Sequence, residues 1–142
     1  MKVSEHFVLQ EFIPKEIFSQ YGENSIWFIN PIIINVAEFC RDFFNRPIII
    51  NNWHTGGHFN ESGYRLPDTT TGAKLSQHKR GAAIDIKIEG ITDYEKIRQI
   101  VLANEKAFLN SGVTTMEDGT GTWLHIDCRF TKLDKILVVP FR

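Results

Sequence analysis

A chain of 142 residues, 42% hydrophobic and 23% charged, is long enough to bury one core and short for two, so residues 1–142 read as a single domain. The 16 Lys and Arg against 17 Asp and Glu leave a formal net charge of −1 with no basic cluster, which argues against nucleic acid as a partner. No apolar run approaches the roughly 20 residues that span a bilayer, and Met1 to Phe12 lacks the charged start and apolar stretch of a secretion signal. The expectation is a soluble chain made in the cytoplasm, without membrane insertion, in which Cys40 and Cys128 stay free thiols rather than pair.

In chain order, Pro31 can open a helix, and Ile33, Val36, Ala37, Cys40, Phe43 and Phe44 recur at helical spacing, which predicts an amphipathic helix over residues 31–45. Pro47 to Asn51 is a short apolar run that suits a buried strand. Residues 52–75 hold four Gly, one Pro and three consecutive Thr with little periodicity. They read as a long functional loop and the place for a substrate groove. Ala82 to Ile88 alternates, with Ile84, Ile86 and Ile88 toward the core and Ala83, Asp85 and Lys87 toward a cleft.

A capping box at Thr92 to Glu95 and the apolar spacing of Ile97, Ile100, Val101 and Phe108 predict a second helix over residues 93–109, stopped by Asn110 to Gly112. Val113 to Glu117 and Thr122 to Arg129 flank the turn-rich Asp118 to Gly121 and read as a hairpin. Alternation puts Leu124, Ile126 and Cys128 on one face and Trp123, His125, Asp127 and Arg129 on the other. Ile136 to Phe141 supplies a final strand. The fold class is α+β, an antiparallel sheet packed with helices.

Two motifs carry chemistry. Ser76-Gln77-His78-Lys79-Arg80-Gly81-Ala82-Ala83-Ile84-Asp85 and Trp123-Leu124-His125-Ile126-Asp127 together offer two imidazoles and a carboxylate, a ligand set for Zn2+ that leaves one coordination position open. His54 and His58 also stand four apart, but Gly56 and Gly57 between them argue against a helix and against a second metal site. Trp53, Phe59 and Trp123 are candidates to line a groove, with packing as the plainer reading.

The pattern Ser-x-His-x-x-Gly-x-Ala-x-Asp followed by an aromatic-x-His-x-Asp strand resembles the zinc D-Ala-D-Ala peptidase family, which includes D,D-carboxypeptidases and phage endolysin peptidases. Glu5 to Phe12 is similar to the family's N-terminal segment, and Ser62-Gly63-Tyr64-Arg65 to its substrate-arginine motif. The resemblance implies a hedgehog/D,D-peptidase-like fold, zinc held by His78, Asp85 and His125, and hydrolysis of peptidoglycan stem peptides. It implies that Arg65 grips a substrate carboxylate or stabilises charge on the attacked carbonyl.

The family places an acidic general base three residues before the last histidine, where this chain has Thr122. A four-residue loop at 118–121 would set Glu117 across from Thr122, and Asp127 is the other candidate base or else a partner that orients a ligand or neighbour. A phage lysis enzyme released to the cell wall, a virion component and a bacterial wall-remodelling enzyme all fit. Cleavage of free D,D-dipeptides is a further option. The rival class is a noncatalytic zinc-containing binding or virion structural module of the same fold.

Overall fold

Asn30 starts the longest helix because its side-chain oxygen accepts from Ile32 N at 3.0 Å while Pro31, which has no N–H to satisfy, takes the first position. The computed structural model describes residues 1–141. In it this helix, α2, spans Pro31–Phe44 and ends where Asn45 turns left-handed at φ 51°. Its buried stripe is Ile33, Val36, Ala37 and Cys40. The short helix α1, Lys15–Tyr21, precedes it.

The second predicted helix is in fact two, α3 (Tyr94–Ala103) and α4 (Glu105–Ser111). Asn104 divides them: its Nδ2 donates to Ile100 O at 2.8 Å, using the carbonyl of the preceding turn. Its backbone leaves helical geometry at φ −119° and ψ 32°, with the Asn104 N shared between Ile100 O and Val101 O at 3.1 Å each. The restart lets α4 lay Phe108 against Phe39 and Phe43 of α2, with ring centroids 5.0 and 4.9 Å apart. The cap of α3 is Asp93, which accepts from Lys96 N at 3.1 Å, rather than Thr92.

Five strands, β1 (Ile48–Ile49), β2 (Ala83–Ile88), β3 (Thr115–Asp118), β4 (Leu124–Asp127) and β5 (Leu137–Pro140), form one sheet in the order β1-β2-β4-β3-β5. The sheet is mixed, which corrects the antiparallel expectation: β5 runs parallel to β3, with Thr115 beside Leu137 and Asp118 beside Pro140. Both neighbours of β4 are already taken by β2 and β3. Residues 128–136 therefore return the chain to the start of β3, where Leu137 N bonds Thr114 O at 2.9 Å, and the last strand must leave in the same direction. The run at Pro47 to Asn51 gives only a two-residue edge strand, with Ile48 buried and Ile49 exposed.

Ile84, Ile86, Ile88, Leu124 and Ile126 are buried on the helical side of the sheet, as the alternation predicts, and Met116, the register partner of Ile126, is buried with them. Phe7, Leu9, Phe12 and Ile13 of the N-terminal segment join the same core. Cys40 is buried and Cys128 half-buried, and both are free. Among the described residues no helix is long and apolar enough to cross a membrane.

Candidate metal centre and cavity

His78 sits in a 3-10 turn, Gln77–Arg80, opened by Ser76, whose Oγ accepts from His78 N at 3.2 Å. Gly81 closes the turn at φ 66°, and a Cβ there would overlap the Phe28 carbonyl. Only glycine meets both demands. His78 Nδ1 lies 2.8 Å from Gly63 O. A carbonyl only accepts, so Nδ1 carries the hydrogen and Nε2 turns its lone pair to the site.

The segment Ser62 to Arg65 is laced into this arrangement by its backbone. Tyr64 N donates to Phe12 O at 2.7 Å, Asp85 N to Ser62 O at 2.8 Å, and Arg65 N to His78 O at 3.0 Å. A Cβ on Gly63 would overlap Phe12 O, so close approach explains that glycine.

Asp85 on β2 and His125 on β4 are register partners. Asp85 Oδ1 lies 3.2 Å from His78 Nε2 and 2.9 Å from His125 Nδ1, and the two histidine nitrogens are 3.2 Å apart. His125 Nε2 lies 2.9 Å from Asp127 Oδ2 on the far side of the ring. An ionised carboxylate accepts, which leaves Nδ1 free to present a lone pair. All three residues are at most 8% exposed.

Three electron-pair donors facing one another at about 3 Å need a cation among them. A proton meets part of that need. Burial alone would raise the Asp85 pKa, but charge on His78 and hydrogen bonds from His125 and His78 hold it well below the usual carboxylate range. Burial alone would lower His125, yet bonds to Asp127, Asp85 and Glu117 raise it well above an ordinary imidazole. His78, Asp85 and His125 could equally hold a metal ion, since one donor atom from each lies within 4.8 Å of the others.

Glu117 reaches this centre by a different register from the one its sequence suggests. Thr115 pairs with Asp127 and Met116 with Ile126, so the next residue, Glu117, stands opposite His125 and not opposite Thr122. Its Oε1 is 2.9 Å from His125 Nδ1. The loop between β3 and β4 is longer than four residues, and Thr122 is exposed at the cavity rim.

Asp127 is fully buried and away from the cavity, clamped by Arg129 through Nε at 2.9 Å and Nη2 at 2.6 Å. Burial would raise its pKa, but Arg129 and His125 hold it low, so it stays a carboxylate. Arg65 lines the cavity with Nη2 3.0 Å from Asp85 Oδ2 and Nε 2.7 Å from Glu61 O.

The centre opens into a cavity of about 1000 Å³ across the sheet face away from the helices. The long loop forms one wall through Phe59, Arg65 and Leu75, and Trp123, Val139 and Phe141 form the other. Trp53 is a packing residue whose Nε1 donates to Ile13 O at 2.9 Å. His54 and His58 take no part in the metal grouping; His54 lies on a 3-10 turn and His58 at the cavity edge.

Sequence reasoning assigns no role to Lys87 and Arg129, although alternation puts both on the ligand-bearing faces. Lys87 Nζ donates to Ile50 O, Ser62 Oγ and Asp85 O at 2.7, 2.8 and 3.2 Å and lies 4.0 Å from the Phe59 ring centre. Burial lowers its pKa to about 8 against the pull of Asp85. A second His/acid grouping, His6, Glu38 and Asp42, lies near the surface. There His6 N and Nδ1 both bond Glu38, at 2.8 and 2.6 Å, and tie the N-terminal segment to α2. Comparison with protein families, with curated proteins and with solved structures gives no match.

Proposed function

We propose that the chain is a zinc-dependent peptidase of the hedgehog/D,D-peptidase-like type that hydrolyses peptide bonds in bacterial peptidoglycan stems. The observation that carries this reading is Glu117 Oε1 at 2.9 Å from His125 Nδ1, an acid beside a buried three-donor centre at the floor of a large cavity. Donor separations of 2.9, 3.2 and 3.2 Å are close to the ~3.3 Å expected between ligands of a tetrahedral zinc with bonds of 2.0–2.1 Å. When bound, zinc supplies Lewis acidity, polarising a carbonyl and acidifying a coordinated water.

The chain's own residues have distinct parts. Glu117 takes the proton of the attacking water and hands it to the leaving amine, the work of a general base and then acid. Asp127 fixes the tautomer and orientation of His125 and is not the base, and Gly63 O does the same for His78. Arg65 fixes the second oxygen of Asp85. The cavity of about 1000 Å³ is lined from Lys87 on β2 to Val139 on β5, which supports a peptide-sized ligand.

The test is digestion of purified peptidoglycans of several stem chemistries by the zinc-replete protein and its Glu117→Gln variant, with fragments identified by mass spectrometry. New amino termini from the parent and none from the variant are expected. No cleavage on any wall or free dipeptide would overturn the enzymatic reading in favour of a noncatalytic zinc-containing module, the alternative that the exposed Thr122 at the usual acidic position favours.

A further inference from the structure

The cavity has two arginines, and they differ in what they have left to offer. Arg65 has its Nε on Glu61 O and its Nη2 on Asp85; its Nη1 also makes no hydrogen bond among the described residues, but it packs over Gly72 where even a methyl would collide, and its side chain is only 10% exposed. Arg129 also has two nitrogens committed, Nε and Nη2 to Asp127, and its backbone N bonds the same carboxylate at 3.2 Å. Its Nη1 makes no hydrogen bond among the described residues, and its side chain is 30% exposed while lining the cavity.

A guanidinium held on one edge by a buried carboxylate, with its other corner open, is a preorganised anion receptor: little rotamer freedom remains to be lost when a ligand binds. The bidentate clamp also fixes the reach of Arg129 relative to His125, because Asp127 Oδ2 contacts both. Asp127 is the acid in contact with Arg129, and the charge of Glu117 reaches it more weakly. A second anion placed between Arg129 and the metal centre would be balanced by the cations on either side.

From this we infer that Arg129, rather than Arg65, is the residue that recognises a substrate carboxylate, which makes the preferred ligand a peptide ending in a free carboxylate close to the bond cleaved. This rests on the peptidase reading for its biological meaning, but the recognition itself does not require turnover. Arg65 is then a positioning residue that acts through Asp85.

The experiment measures binding of N-acetyl dialanine, in both stereochemical series, as free acid and as carboxyl-terminal amide. The proteins are the zinc-loaded Glu117→Gln form and the same form carrying Arg129→Gln or Arg129→Lys, read by titration calorimetry or ligand-observed NMR. Zinc content and thermal stability are recorded for each. Loss of one charge-assisted contact predicts that Arg129→Gln reduces acid affinity about 10- to 100-fold and leaves the amide unchanged, with Arg129→Lys recovering part of the preference.

The acid-to-amide ratio separates recognition from structure, because loosening Asp127 and His125 would weaken both ligands alike. An unchanged ratio in Arg129→Gln overturns the inference, as does equal loss for acid and amide. If the parent cleaves no wall and no peptide yet prefers the acid through Arg129, the peptidase reading falls and this one stands. If the parent cleaves but the ratio ignores Arg129, only this one falls.

Discussion

Glu117 on β3 stands directly across the hairpin from His125 on β4, its Oε1 2.9 Å from the imidazole Nδ1 that also faces Asp85 and His78. The two residues lie on the same face of adjacent strands, so the backbone register alone brings the acid to the centre. Nothing about the loop that joins them has to be special.

That relationship predicts a clean separation of functions in Glu117→Gln. The amide keeps the size and hydrogen-bonding reach of the side chain and cannot take a proton from water. Turnover of a wall or peptide substrate should drop about 10²- to 10⁴-fold, while zinc affinity stays within a few-fold because Glu117 is not among the three donors. Parallel kinetics and competitive zinc titration check this; retained turnover would exclude Glu117 as the base.

Asp127→Asn tests the support behind the metal ligand. An asparagine oxygen can still accept from His125 Nε2, but the charge that holds both the imidazole and Arg129 is gone. Metal affinity should fall about 10- to 100-fold, the usual cost of weakening the group that orients a metal-ligating histidine. Asp127→Ala should fall further and also destabilise the fold, since it leaves Arg129 unpaired. An Asp127→Asn protein with parental zinc affinity would rule out this role.

Both ligand strands are readable in the sequence because their information is local: Ile84-Asp85-Ile86 and Leu124-His125-Ile126 announce a dry face and a polar one by alternation. The fold around them is less readable where the deciding contact is remote. The parallel β5 follows from β4 having no free edge, and the place of Glu117 follows from a register three residues away from a minimal turn. The orientation of His78 turns on the carbonyl of Gly63, 15 residues earlier in the chain, whereas the break at Asn104 is a local change of backbone geometry that apolar spacing on either side does not show. Arg129 stands on the ligand face in the alternation, but its clamp on Asp127 is a short-range contact that composition and spacing do not specify.

Metal removal should be visible in stability. The buried donors of His78, Asp85 and His125 are better satisfied by a cation than by one shared proton. A metal bound at a hundredfold excess over its Kd adds about 2.7 kcal/mol, equivalent to about 10 °C in Tm for a domain of this size. Chelation should lower Tm by that order and zinc restore it, and the Asp85→Ala variant should respond to neither. A Tm indifferent to chelator and zinc would mean that no metal binds there.

Gly81→Ala should uncouple His78 from the rest of the centre. The left-handed backbone costs an alanine about 1–2 kcal/mol, and the new Cβ must also push against Phe28 O, a backbone atom with no side-chain freedom to yield. The bond from Asn30 N to Gly81 O, at 3.1 Å, ties the same point to the start of α2. A loss of at least about 2 kcal/mol in urea unfolding is expected, with weaker zinc binding in the fraction that remains folded. Unchanged stability would show that the turn relaxes freely.

Glu11 gives a pH dependence remote from the metal centre. Burial pushes its carboxyl up to about 7 from an ordinary 4.5, against the pull of the hydrogen bond from Val8 N. The folded chain therefore binds a proton at Glu11 more tightly than the unfolded chain does. Its contribution to stability is full below pH 4.5 and disappears as pH rises through 7, because the folded state then has to bury a charge that the unfolded state leaves in water. Glu11→Gln keeps an acceptor for Val8 N and removes the ionisation. The variant should match the parent near pH 4.5 and exceed it in Tm at pH 8, with the parent's decline across that interval flattened. Thermal melts at several pH values, run with chelator present so that metal binding does not contribute, decide it. Parallel Tm profiles for the two proteins would show that Glu11 ionises without cost in the fold.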